Sequence, residues 1–224
     1  MSNIEKAPFR GNWRKLLCLT NKDLQTADSV VGKITAPGGR EWVIKWPRQR
    51  IYQQEEGWII CQYLTRAYQL YQKALGEEFL VPSQFILGEK MNGRGLEYKP
   101  YIIQPFITSW TGKDIPEEIG KNQNVISQWQ ILYRRLSRLY TTARKINQNL
   151  PNPEHRFPIG ITVGPTRKLT IQQGDSISPQ TLPPTPNILI TKELKPRILL
   201  PDFGPYFSWQ EEKRGAFEQV WESF

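Results

Sequence analysis

The chain has 224 residues, 38% hydrophobic and 12% aromatic with 8 Trp, which suits one generous domain or two small lobes and excludes a disordered chain. Its net charge is +9, unevenly placed: residues 1–50 carry ten Lys and Arg against four acids, and residues 151–224 carry eight of each. No apolar run approaches a membrane span and the amino terminus lacks a signal-peptide core, so a cytoplasmic location is expected by elimination.

Residues 1–28 hold a short strand candidate at Leu16–Leu19. Residues Ser29–Thr35 and Arg40–Trp46 are two β-prone runs around the turn Ala36-Pro37-Gly38-Gly39, and they predict a β-hairpin. From Gln53 to Leu75, Ile60, Tyr63, Leu64, Ala67, Tyr71 and Ala74 recur at three- and four-residue steps, the mark of an amphipathic helix. Extending that stripe back one turn reaches Glu56, an acid that suits the helix start and is expected to point inward, where it needs a partner. Strands follow at Val81–Leu87 and Tyr101–Ile107, joined through the turn Asn92-Gly93-Arg94-Gly95. A second long helix is predicted from Val125 to Ile146, with Ile126, Trp129, Leu132, Tyr133, Leu136, Tyr140 and Ala143 on one face.

Between Asn147 and Pro186 the chain turns rich in Pro, Gly, Asn and Gln, a loop excursion with strand-like pieces at Ile159–Val163 and Lys168–Ile171. Asn187–Thr191 and Arg197–Leu200 predict a small hairpin, followed by Asp202-Phe203-Gly204 and a helix from Glu211 to Trp221. Cys18 and Cys61 lie far apart in apolar stretches with no histidine nearby, and they read as buried reduced thiols.

Four features stand in an informative order: Lys45 within Val43-Ile44-Lys45, Glu56, Asn187 within Pro186-Asn187-Ile188-Leu189-Ile190, and Asp202 within Leu200-Pro201-Asp202-Phe203-Gly204. Together they resemble the protein-kinase superfamily over residues 29 to 207. The resemblance implies an α+β, protein-kinase-like fold: an antiparallel-sheet N-lobe with one long helix over residues 1–107, and a reduced, mainly helical C-lobe over 108–224. It implies that Lys45 holds the phosphates of ATP, that Glu56 is the carboxylate partner of Lys45, and that Asn187 and Asp202, the latter in a DFG motif, hold Mg²⁺. Ile103, Gln104 and Phe106 fall where the family's last small-lobe strand enters the hinge that contacts adenine, and Pro105 there lacks an N–H.

Other parts of the family pattern are missing. The stretch from Leu19 to Gly32, where a glycine-rich loop belongs, contains one glycine. The catalytic Asp of the family stands five residues before its metal-binding Asn, and that position is Leu182, which cannot accept a proton. Gln173-Gly174-Asp175 resembles a His-Gly-Asp variant of small-molecule kinases, twelve residues from Asn187, so Asp175 is a candidate base only if the intervening loop folds back. His155-Arg156-Phe157 is similar to the HRD signature with Phe for Asp, but it lies far upstream. Twenty residues follow Gly204, short of the peptide-substrate platform of the family, which implies a degenerate, truncated pseudokinase-type member.

Three functions follow as expectations. One is a pseudokinase-type regulatory or adaptor module with a degenerate ATP and Mg²⁺ site. It would bind another protein through the reduced C-lobe or the aromatic tail of Phe207, Trp209, Phe217, Val220, Trp221 and Phe224, unless that tail caps its own core. Another is an ATP-dependent phosphotransferase with Asp175 as base. The third is a basic nucleic-acid- or phosphate-binding protein using Arg134, Arg135, Arg138, Arg144 and Lys145.

Overall fold

Alternating strands with one amphipathic helix laid on them account for most of the described residues in the front half of the chain. In a computed structural model the described residues are 29–35, 39–93, 95–112, 114–150, 161–163, 167–169, 180, 182–183, 187–199 and 214–224. They fall into two compact units: 29–69 with 82–106, and 70–81 with 107–199 and 214–224. The expected strand at Leu16–Leu19 and the residues Cys18, His155, Asp175, Asp202, Phe207 and Trp209 lie outside the described residues.

The first unit holds β1 (Ser29–Thr35), β2 (Glu41–Pro47), β3 (Gln84–Asn92) and β4 (Gly95–Pro105) in one antiparallel sheet of order β1-β2-β4-β3. The predicted hairpin is there, with Ser29 opposite Pro47 and Thr35 opposite Glu41. The second strand pair turns at Asn92 and Gly95 as expected, but β3 starts three residues later than Val81 and β4 starts well before Tyr101. Pairing across a tight turn keeps the polar Glu89, Lys90 and Glu97 in the ladder, where their composition alone reads as loop. One face of this sheet carries a cluster of Ile34, Ile44, Ile86, Tyr101 and Ile103, with Trp42 and Trp46 against it.

The other face receives α1 (Gln54–Leu75), whose residues through Gln69 belong to this unit. Gly57 lies against Leu87 and Tyr98, and the Tyr68 ring lies 5.8 Å from that of Phe85. Every residue of the predicted stripe, from Ile60 to Ala74, is buried. Glu56 corrects the extrapolation: it is exposed, and the buried position of that first turn is Gly57. A glycine without a side chain lets the helix approach the sheet at the place where the periodicity had put a carboxylate.

The second unit is built around α3 (Gln123–Gln148), preceded by the single turn α2 (Glu117–Gly120). Asn122 caps α3, its Oδ1 accepting from the N–H groups of Asn124 at 2.9 Å and Val125 at 3.4 Å. Trp129, Leu132, Leu136, Tyr140 and Ala143 are buried as predicted. The expected hairpin is β8 (Ile188–Thr191) with β9 (Pro196–Ile198), and β5 (Ser109–Thr111), a strand that three residues could not announce in sequence, adds to β8. Within the loop excursion, β6 (Ile161–Val163) pairs with β7 (Arg167–Leu169).

The last helix, α4 (Arg214–Glu222), packs on α3 with Phe217 and Val220 fully buried. For these two residues the tail caps its own core, and they are not available to a partner. Among the described residues no helix is long and apolar enough to cross a membrane.

Candidate functional site

Strand alternation decides where Lys45 stands. Trp42, Ile44 and Trp46 of β2 share the face of the apolar cluster, so Val43 and Lys45 share the face that α1 covers. Lys45 is half-buried, opposite Val31 on one side and Ile102 on the other. Both cross-strand neighbours are β-branched, so the stem of Lys45 starts from a largely apolar face. Glu56 belongs to the helix on that same face, yet its side chain is exposed.

Gln104 lies on the Lys45 face, one pleat beyond Ile102, and it is 1% exposed. Its Nε2 donates to Ser83 Oγ at 2.8 Å, while its Oε1 is buried without a hydrogen-bond partner. Ile103 points the other way, into the apolar cluster. Phe106 is exposed, and its backbone N–H donates to the Glu41 carbonyl at 3.0 Å. The Lys33 ammonium sits 3.9 Å from the Phe106 ring centroid and 2.6 Å from the Glu41 carboxylate, which fixes the end of β4 against the β1–β2 hairpin. Pro105 has no N–H and that of Phe106 is in use, so neither offers a donor at the point where the strand ends.

In the second unit Asn187 leads into β8, half-buried, its carbonyl accepting from the Leu199 N–H at 2.8 Å. Leu182 is half-buried. No known protein-family profile matches the sequence, and no curated protein is similar to it. Among solved structures the chain is similar to the pseudokinase domain of BIR2, an immune regulator of the RLK/Pelle family, with a TM-score of 0.51 and 14% identity. That match covers 90% of this chain and 51% of the other.

The chain has a protein-kinase-like fold. It spans about half the length of that pseudokinase structure. Two further pseudokinases align at a TM-score of 0.41, one apo and the other DRIK1 (drought responsive inactive kinase 1) bound to ENMD-2076. Their identities are 8% and 7%, over 85% and 83% of this chain and 63% and 59% of theirs, too low an overlap to support an argument. Within the kinase-like fold, Lys45 occupies the strand before the long helix and Asn187 the start of the hairpin after α3, the chain order that the sequence implied.

The basic stretch of α3 is only partly available as a surface. Arg135 donates to the Leu75 carbonyl at the end of α1 and pairs with Glu78 at 2.6 Å, with its guanidinium 5.2 Å from the Phe79 ring. The Arg138 guanidinium lies 5.0 Å from the Phe224 ring. Arg134, Arg144 and Lys145 are exposed. Sequence reasoning missed the Glu78 junction, which also draws the Arg197 guanidinium onto the Glu77 and Glu78 carbonyls. Its signal is Gly76, whose φ of 91° ends α1 and turns Glu77 and Glu78 toward these cations.

Proposed function

We propose that this chain acts as a pseudokinase-type module, a kinase-like scaffold that binds or regulates another protein without transferring phosphate. The observation that carries this reading is Leu182, five residues before Asn187, where a kinase needs a carboxylate to take the proton of the attacking hydroxyl. An aliphatic side chain can neither orient nor deprotonate a substrate. In support, the Phe106 N–H is spent on Glu41 and Pro105 has none, so the end of β4 offers little to an adenine ring.

The residues present fit the phosphate end of ATP better than its base. Lys45 would meet a phosphate oxygen from the α1-covered face, and Asn187 with Asp202 would supply the oxygen ligands that Mg²⁺ prefers. A bound nucleotide would therefore act as a structural ligand that stabilises the fold by mass action. A cytoplasmic location belongs to the same proposal.

Two assays on the full chain test it. Radiolabelled ATP with Mg²⁺ should give no transfer to the chain or to general acceptor proteins above a Lys45→Met control. Turnover that disappears in Asp175→Asn would replace this reading with that of a working phosphotransferase. Affinity capture with the purified chain should return a protein whose binding survives Lys45→Met, and loss of that binding in the variant would tie the role to nucleotide chemistry instead.

A further inference from the structure

The sheet face turned away from α1 holds a second feature that the kinase-like reading does not use. At its outer end lies a cavity of about 400 Å³, within the size range of small-molecule sites. Its apolar wall is Val30 of β1, opposite Trp46 of β2, with Pro47 beside them. Arg48 and Arg50 line it from the chain leaving β2, and Lys90 and Lys99 from β3 and β4. Among the described lining residues Glu97 is the one acid, against four cations.

That acid is largely neutralised from within. Glu97 is 5% exposed, and the Lys99 ammonium lies 3.3 Å from its carboxylate, itself mostly covered. Arg50 is held by a hydrogen bond to Tyr52, and the charges of Tyr52 and Glu97 add to that in raising its pKa, so it stays charged at any working pH. By formal charge the described lining residues carry four cations against one carboxylate, a balance suited to a ligand with two or more phosphate groups.

Position separates this cavity from the proposed nucleotide site. Trp46, Glu97 and Lys99 have the strand parity of Ile44 and Tyr101, whereas Lys45 has the opposite parity. A ligand in the cavity and a nucleotide phosphate on Lys45 would meet opposite faces of one sheet. The Trp46 ring is also set from behind, edge-on to Tyr101 with centroids 6.1 Å apart, which gives the cavity a rigid aromatic wall. The site is a partly open cleft, and its fixed aromatic wall beside clustered cations suits a compact free ligand better than a polymer that must run across a surface.

We infer that the Trp46, Arg48, Arg50, Lys90 and Lys99 cavity is a binding site for a small molecule carrying two or more clustered phosphates. The proposal is independent of whether the chain binds ATP.

Isothermal titration of the full chain with inorganic tripolyphosphate tests it, with inorganic phosphate and a single-stranded RNA oligonucleotide as comparisons. Tripolyphosphate should bind one per chain, at least about tenfold more tightly than phosphate, and more weakly as salt rises. The exposed positions make Arg50→Gln with Lys90→Gln a variant that should fold, checked by circular dichroism. It should lose about tenfold in affinity. Absence of binding or retention in the double variant would each overturn the site. Tighter binding of the RNA than of tripolyphosphate would overturn the compact ligand.

Discussion

The backbone N–H of Phe106 donates to the carbonyl oxygen of Glu41 at 3.0 Å, closing the end of β4 onto β2. In a kinase-like fold the segment after this strand is where a purine edge would be read. With Pro105 lacking an N–H and Phe106 already bonded, one hydrogen bond to adenine is gone, which on its own removes up to about tenfold in affinity. ATP and GTP with Mg²⁺ should therefore raise the melting temperature by equal amounts, whether that amount is measurable or near zero. A clearly larger shift with ATP would mean that the chain reads adenine through groups other than these.

Gln104 gives a second prediction from the same strand. Its Nε2 is bonded to Ser83 while its Oε1 is buried with no partner, an arrangement in which the amide gains little over an apolar group of equal size. Gln104→Met should leave stability within about 1 kcal/mol of the parent, measured by urea unfolding. A loss above roughly 2 kcal/mol would show that the carbonyl end is satisfied after all.

What sequence could supply here was periodicity and order. The α1 stripe and the β1–β2 hairpin were legible because large apolar residues repeat at the helix period and because Pro37-Gly38-Gly39 is turn chemistry. Lys45 came instead from the resemblance of Val43-Ile44-Lys45 to the strand lysine of kinases, and strand alternation then assigns its face. Glu56 was misjudged because a stripe extended by one turn assumes that the closest residue has a side chain, and Gly57 does not. The Arg135 role was also hidden. A basic helix face reads as free charge until the fold brings Leu75, Glu78 and Phe79 to it from about sixty residues earlier in the chain.

That junction makes a pH prediction. Burial works to raise the Glu78 carboxyl, but its own N–H, the bond and charge of Arg135, and the charge of Arg197 outweigh it and hold it below the usual 4.5. Because the folded value is lowered, the unfolded chain takes up the proton first as pH falls. The stabilisation is therefore complete above about 4.5 and disappears as pH drops through the folded value. Glu78→Gln should lower stability at pH 7 by less than about 1 kcal/mol, since the carboxylate is more than half exposed. The gap between variant and parent should close in unfolding curves taken toward pH 3. A gap that widens in acid would reverse the assigned direction.

Gly57 sets two magnitudes against each other. In a helix interior Gly→Ala gains up to roughly 1 kcal/mol from propensity alone, and Gly57, in the first turn of α1, gains no more than that. Here the added Cβ would lie 2.6 Å from Leu87 Cδ1, and overpacking of this kind costs about 1–3 kcal/mol even though a leucine methyl can turn aside. Contact with Tyr98 Cβ at 3.5 Å is ordinary and adds nothing. The balance predicts that Gly57→Ala destabilises the chain by about 1 kcal/mol. In a Leu87→Ala background the clash is gone and only propensity remains, so the same substitution should then stabilise. A double-mutant cycle by urea unfolding reads both numbers. Stabilisation by Gly57→Ala in the parent chain would mean that α1 does not lie this close to the sheet.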